Sequence, residues 1–230
     1  MAKGSYWQKH KEKTGAASFS GNESRTPAVI ISAEKKARFE EGAVILIDKP
    51  LHWTSFDVVR KIRGSIRIKK VGHAGTLDPL ATGLLILCTG KFTRKINEYM
   101  AREKEYTGSF TLGAVTPTYD LESNPEQFKD TAGITTDMLN EATKHFIGEI
   151  QQVPPIYSAI KKQGTALYEL ARRGEEVDLQ PRNILIKDFE LTGINLPVVT
   201  FKITCSTGTY IRSVAHDFGK QRSEEHTSEL

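Results

Sequence analysis

A mixed fold of strands and helices is what the sequence predicts, and three observations predict it. Tyr106, Gly108, Phe110 and Leu112 alternate with polar residues, as do Val199, Phe201, Ile203 and Cys205, which is the two-residue period of a half-buried strand. Ile211, Val214, Ala215 and Phe218 recur at i, i+3, i+4 and i+7, the spacing of a helix with one apolar face. Between these kinds of segment, Gly72 to Leu87 reads as a glycine-punctuated loop that runs into a short apolar strand. Gly72, Gly75 and Gly83 allow backbone conformations and close approaches that a side chain forbids. Pro79 fixes its own φ and biases Asp78 toward an extended conformation, so one carboxylate is held at a stiff turn.

Taken in order, residues 1–40 are rich in Lys, Ser, Gly and Thr without sustained periodicity, and read as a flexible basic extension. The folded domain is expected over 41–221. Ala43 to Ile47 reads as a buried strand closed by Asp48-Lys49-Pro50. Thr54 followed by Asp57 is a helix N-cap with an acid three residues on, and Phe56, Val59 and Ile62/Arg63 supply the apolar stripe. Six basic residues and no acid lie between Arg60 and Lys70, immediately before the central loop. Thr89 to Arg94 is a turn, Lys104 to Gly113 a strand, and Thr116 to Asp130 an acidic surface loop. Thr135 or Thr136 caps a helix carrying Leu139, Ala142 and Phe146. Tandem prolines exclude a helix from Val153 to Lys161. Leu167, Leu170 and Ala171 stripe a short helix that stops at Gly174, ahead of the last strand and helix.

The chain has 230 residues, 38% hydrophobic and 26% charged, which is room for one sizeable domain or one domain plus an appendage. Its apolar runs are too short to cross a bilayer, and no apolar core follows the N-terminal lysines as a secretory signal would require. The two cysteines, Cys88 and Cys205, form no CxxC or Cys/His cluster, so neither a metal site nor a disulfide framework is expected and a cytoplasmic location is the default. The net charge is +4, and the basic block beside the loop suggests a phosphate-binding rim of Arg63, Lys69 and Lys70.

The stretch Gly72-His73-Ala74-Gly75-Thr76-Leu77-Asp78-Pro79-Leu80-Ala81-Thr82-Gly83-Leu84-Leu85 resembles the signature of the TruB-type tRNA pseudouridine synthases. Asp48-Lys49-Pro50 with Thr54-Ser55, Lys104-Glu105-Tyr106, Gln151 to Ala159, Leu167 to Gly174 and Cys205 to Ser213 match the same pattern in the same order. The resemblance implies an α+β pseudouridine-synthase fold, a mixed, mainly antiparallel central sheet flanked by helices with an RNA-binding cleft. It implies isomerisation of uridine to pseudouridine at position 55 of the tRNA T-loop, without cofactor or metal. Asp78 is then the catalytic carboxylate, acting covalently on sugar or base or supporting a glycal route.

Arg212 is implied as the partner that keeps Asp78 ionised in a dry pocket. Tyr106 stacks on the target uracil and can move a proton, and Tyr210 forms another pocket wall. His73 fills space in the remodelled T-loop, while Lys49 and Lys161 contact the substrate. The partner is the T-arm of tRNA, with no membrane and no obligate protein partner, and the expected state is a monomer. Two alternatives are a guide-RNA-dependent synthase of the dyskerin type and a non-catalytic module that grips the T-loop. Residues 222–230 read like a translated sequencing adapter, so the natural sequence is expected to stop near Gln221. The family's following strand with its Leu-Arg motif, and its PUA domain, are not in the sequence. The chain is therefore expected to leave a sheet edge and part of the last helix's apolar face open, with low stability and little activity, and with the tail disordered.

Overall fold

In the computed structural model the described residues are 31–158, 160–162, 164–175 and 177–224. The fold starts earlier than 41. Ser32 caps helix α1 (Ala33–Glu41), its hydroxyl accepting from the Lys35 N–H. Helix α1 is docked: the Thr89 hydroxyl donates to the Phe39 carbonyl, and Lys91 pairs with Glu41. A Cβ placed on Gly90 would stand 2.0 Å from the Glu40 carbonyl oxygen, so the helix end seats directly on that glycine. The expectation of a flexible segment is thus corrected for 33–40, and residues 1–30 lie outside the described residues.

The first sheet carries the central loop. Strands β1 (Val44–Lys49), β2 (Val71–His73) and β3 (Gly83–Thr89) pair antiparallel in the order β1-β3-β2. Helix α2 (Ser55–Ile66) covers one face, packing Val58 and Val59 on Leu85 and Leu87, with Ile45, Ile47 and Ile62 alongside. Thr54 and Asp57 form the expected capping box. Two expectations change. Phe56 does not join the stripe, being 59% exposed, and β1 is an edge strand whose Leu46 is 65% exposed. In the register Leu46 faces the same side as Ile86 and Leu84, the side α2 leaves uncovered.

A 3-10 turn (Gly90–Lys95) and helix α3 (Ile96–Met100) lead to the second sheet. It comprises β4 (Lys104–Thr111), β5 (Gly148–Gln152), β8 (Arg182–Asn195) and β9 (Val198–Cys205) in the order β4-β9-β8-β5. A small hairpin, β6 (Lys161–Lys162) with β7 (Thr165–Ala166), and helix α5 (Leu167–Arg172) lie between β5 and β8. All of these strand pairs are antiparallel. Helices α4 (Thr136–Lys144, capped by Thr135) and α6 (Ile211–Glu224) meet the larger core. Phe110, Phe189, Phe201 and Phe218 sit ring against ring in it, Phe110 stacked on Phe201 at 4.1 Å.

Helix α6 corrects one more expectation. It runs through Ser223 and Glu224 rather than stopping before Arg222, and the remainder of the tail, 225–230, lies outside the described residues. On its apolar face Val214 and Phe218 are fully buried against the second sheet, while Ile211 and Ala215 are partly buried beside them.

Candidate active site

Asp78 is fixed because both of its neighbours are tied to residues between the end of β1 and the start of α2. On one side the Leu77 N–H donates to Ser55 Oγ at 2.9 Å, and that hydroxyl donates back to the Leu77 carbonyl at 3.2 Å. On the other side the Pro79 carbonyl accepts from the His52 N–H at 2.8 Å and from Lys49 Nζ at 3.3 Å. The Ala81 N–H closes a turn onto the Asp78 carbonyl. Gly75 and Gly83 bound the loop at φ 111° and 107°, in the region side chains avoid. Gly72 is different: it lies in β2, where an added Cβ would meet Ile96 at 2.7 Å.

The counter-charge arrives from the other sheet. Arg212, in the first turn of α6, donates from Nε to Asp78 Oδ2 at 2.9 Å and from Nη2 to Oδ1 at 3.2 Å, a two-pronged pair. Its remaining donors are also used. Nη1 donates to the Thr118 carbonyl and lies 3.4 Å from the Asp120 carboxylate, while Nη2 donates to the Tyr157 carbonyl. The Arg212 side chain is 14% exposed and that of Asp78 44%, so the carboxylate keeps an open side where a dry pocket was expected. A charged group gripped from behind and open in front is poised to meet a ligand.

Sequence reasoning gave Asp120 no role, because it lies in an acid-rich loop that resembles any solvated turn. Gln152 was likewise passed over. Its side-chain amide brackets Tyr210, accepting from the Tyr210 N–H at 2.8 Å and donating to the Tyr210 carbonyl at 3.1 Å. That fixes the entry into α6 and hence the aim of Arg212. Ser213 adds a bond to the Val153 carbonyl. The Val153–Tyr157 segment is thus stitched along the helix start.

Tyr106 stands on β4 opposite Ile203, packed against the large core. Burial pushes its phenol up to about 12, and the nearby Cys205 and Asp78 add to the shift. Burial likewise raises the Tyr210 phenol. The His73 ring closes on its own loop, Nδ1 donating to the Gly75 carbonyl at 2.6 Å and leaving Nε2 outside that bond.

Lys49, expected to contact the substrate, is turned inward. It is fully buried, and Nζ donates to the carbonyls of Pro50, Trp53 and Pro79. Burial lowers its pKa, with Asp78 opposing the shift. Its geometry is that of a brace beneath the Asp78 turn. The Lys161 side chain lies outside the described residues. Of the expected rim, Arg63 is set over the Phe56 ring, 6.0 Å from its centroid. Lys69 and Lys70 are exposed and join Lys36, Glu40 and Arg67 around a hollow of about 350 Å³, at the far end of β2 from the Asp78 loop.

Residues 63–211 match the model of the TruB family pseudouridylate synthase (N terminal domain). A tRNA pseudouridine synthase B of Flavobacterium johnsoniae is 54% identical over 187 residues, covering 78% of this chain and 82% of the relative. That of Phocaeicola vulgatus is 49% identical over 188 residues, covering 79% and 80%. Among solved structures, a Cbf5-Nop10-Gar1 complex aligns with a TM-score of 0.60 at 29% identity, over 81% of this chain and 46% of that one. An H/ACA RNP bound to a substrate RNA aligns at 0.57 and 26%. The chain spans less than half of those two structural neighbours. A family match across most of the chain, and relatives near 50% identity over four fifths of theirs, settle its membership: the chain belongs to the TruB family of pseudouridylate synthases.

Proposed function

We propose that the chain isomerises uridine 55 of the tRNA T-loop to pseudouridine. The observation that carries this reading is the Asp78–Arg212 pair, a carboxylate held two-pronged at a stiff turn with one side open. It is supported by relatives that bear the name tRNA pseudouridine synthase B. The N1–C1′ bond breaks, the uracil rotates, and a C5–C1′ bond forms. The proton from C5 leaves and N1 gains one, so nothing is consumed.

The target base leaves the RNA stack to reach Asp78, at a cost of a few kcal/mol. Asp78 acts as the nucleophile, with Arg212 holding both carboxylate oxygens from one side and leaving the other side of the carboxylate to the flipped nucleotide. Tyr106, kept in its neutral phenol form, stacks on the uracil and donates or relays a proton. Tyr210 walls the pocket, and the free Nε2 of His73 meets the displaced T-loop bases. Lys69, Lys70 and Lys161 hold phosphates. The enzyme works on tRNA in the cytoplasm as a monomer, with no protein partner and with neither cofactor nor metal.

The test is incubation with an unmodified tRNA transcript and chemical mapping of pseudouridine. Product at position 55 is expected, with Asp78→Asn abolishing it while tRNA binding stays within a few-fold. Turnover by Asp78→Asn near the parent rate would remove Asp78 from its role. A guide-dependent reading is favoured by one observation, the likeness to Cbf5 complexes. It predicts no product until a guide RNA and its proteins are added.

A further inference from the structure

The 116–123 loop is held against α6 by two rings. Tyr119 lies flat on His216, centroids 3.7 Å apart and planes 12° apart. His216 stands one helical turn after Arg212, on the same flank of α6. Tyr119 stands between Thr118, whose carbonyl accepts from Arg212, and Asp120, whose carboxylate pairs with it. The Thr118 hydroxyl donates to Asp120 Oδ1 at 2.6 Å, and the Glu122 N–H donates to the same oxygen. Tyr119 adopts φ 60°, a backbone conformation uncommon for residues other than glycine, so its surroundings must offset a local cost.

We propose that the Tyr119–His216 stack is a positioning clamp for the reaction at Asp78. It pins residues 118–120 to α6, so that Arg212 is gripped from behind while its other edge holds the carboxylate. Without it, Arg212 keeps the Tyr157 carbonyl but loses the two partners on the loop, and the angle it presents to Asp78 is no longer single-valued. Burial, with Lys220 near, pushes His216 down to about 4, so at neutral pH the contact joins two neutral rings and sets no second cation beside Arg212. Neither ring touches the reacting atoms; both act through Arg212.

The test uses the full chain with unmodified tRNA transcript, and compares His216→Ala, Tyr119→Ala, the double variant, and the ring-retaining His216→Phe and Tyr119→Phe. We expect each alanine variant to lower the single-turnover rate by about 3- to 10-fold, the range an aromatic pair is worth, with the tRNA Kd within twofold. The phenylalanine variants recover most of that loss, and the double variant falls no further than the worse single one. Unchanged rates, losses that multiply, or phenylalanine variants as slow as alanine would each overturn the clamp.

This rate arm rests on the pseudouridine reading, so a second arm is independent of it. Amide exchange at Tyr119 and Glu122, whose N–H groups donate within the loop, should speed up in His216→Ala while the β8–β9 amides stay protected. Unchanged loop exchange overturns the clamp even if the parent makes no product. Should His216→Ala not fold, His216→Leu keeps the volume without the ring and is read in the same way.

Discussion

Lys49 shows how much a single buried side chain can organise. Its ammonium meets three carbonyls with no carboxylate among them, one of them belonging to the residue after Asp78. Lys49→Met keeps the stem but strips three acceptors of their donor, and we expect a loss of about 3 kcal/mol in urea unfolding. In whatever folds, the single-turnover rate should drop further than tRNA affinity, since the Asp78 turn loosens while the phosphate contacts remain. An affinity loss equal to the rate loss would return Lys49 to a direct substrate contact. Tyr106 offers a cleaner reading. A phenol raised in the fold contributes stability fully present below pH 10 and lost as pH rises toward about 12. Ultraviolet titration of the parent minus Tyr106→Phe should therefore show one tyrosinate appearing near 12 rather than 10. A difference signal centred at 10 would mean an open phenol.

At the scale of elements, what could be read beforehand was whatever announces itself locally. Thr54 and Asp57 lie three residues apart, so the capping box was legible, and the alternation of β4 and β9 survives in their register. Strand β8 escaped because bulges at Ile186/Asp188 and Leu191/Gly193 shift its parity, so that Ile186 and Phe189, both buried, are three residues apart. Helix α1 escaped because it buries no residue and is held instead by its last carbonyls on Thr89 and Gly90. Asp78 and Arg212 were legible as a pair through the family pattern, whereas Asp120, 92 positions before Arg212, carries no local signal at all. The basic segment divides by element in the same way. Lys69→Ala and Lys70→Ala should each flatten the slope of log K for tRNA against log salt by roughly 0.7–0.9. Arg63→Ala, already engaged with Phe56, should leave that slope nearly unchanged. Equal slopes for all three would show that the hollow and the helix flank serve RNA alike.

Across the whole molecule, one end of one face of the first sheet is bare. Leu46 and Leu84 are 65% and 63% exposed on the face opposite α2. Apolar area of that kind beside an edge strand promotes self-association. Replacing both with threonine should raise the concentration at which light scattering begins, with little change in unfolding midpoint, because neither side chain belongs to a core cluster. A lowered midpoint would mean that the face is covered in solution. Among the described residues no helix is long and apolar enough to cross a membrane.

The Asp78–Arg212 contact joins residues 134 positions apart, one on the loop of the three-stranded sheet and the other on the helix of the four-stranded sheet. Chemistry here is consequently a readout of assembly. Either layer, folded by itself, carries half of a charge pair and no reaction centre. During refolding from urea, backbone circular dichroism can return while the halves are still apart, and catalysis can return only when they have docked. Activity thus reports that the two sheets have joined, and a protein that regained its spectrum without it would be two correct halves not yet introduced to each other.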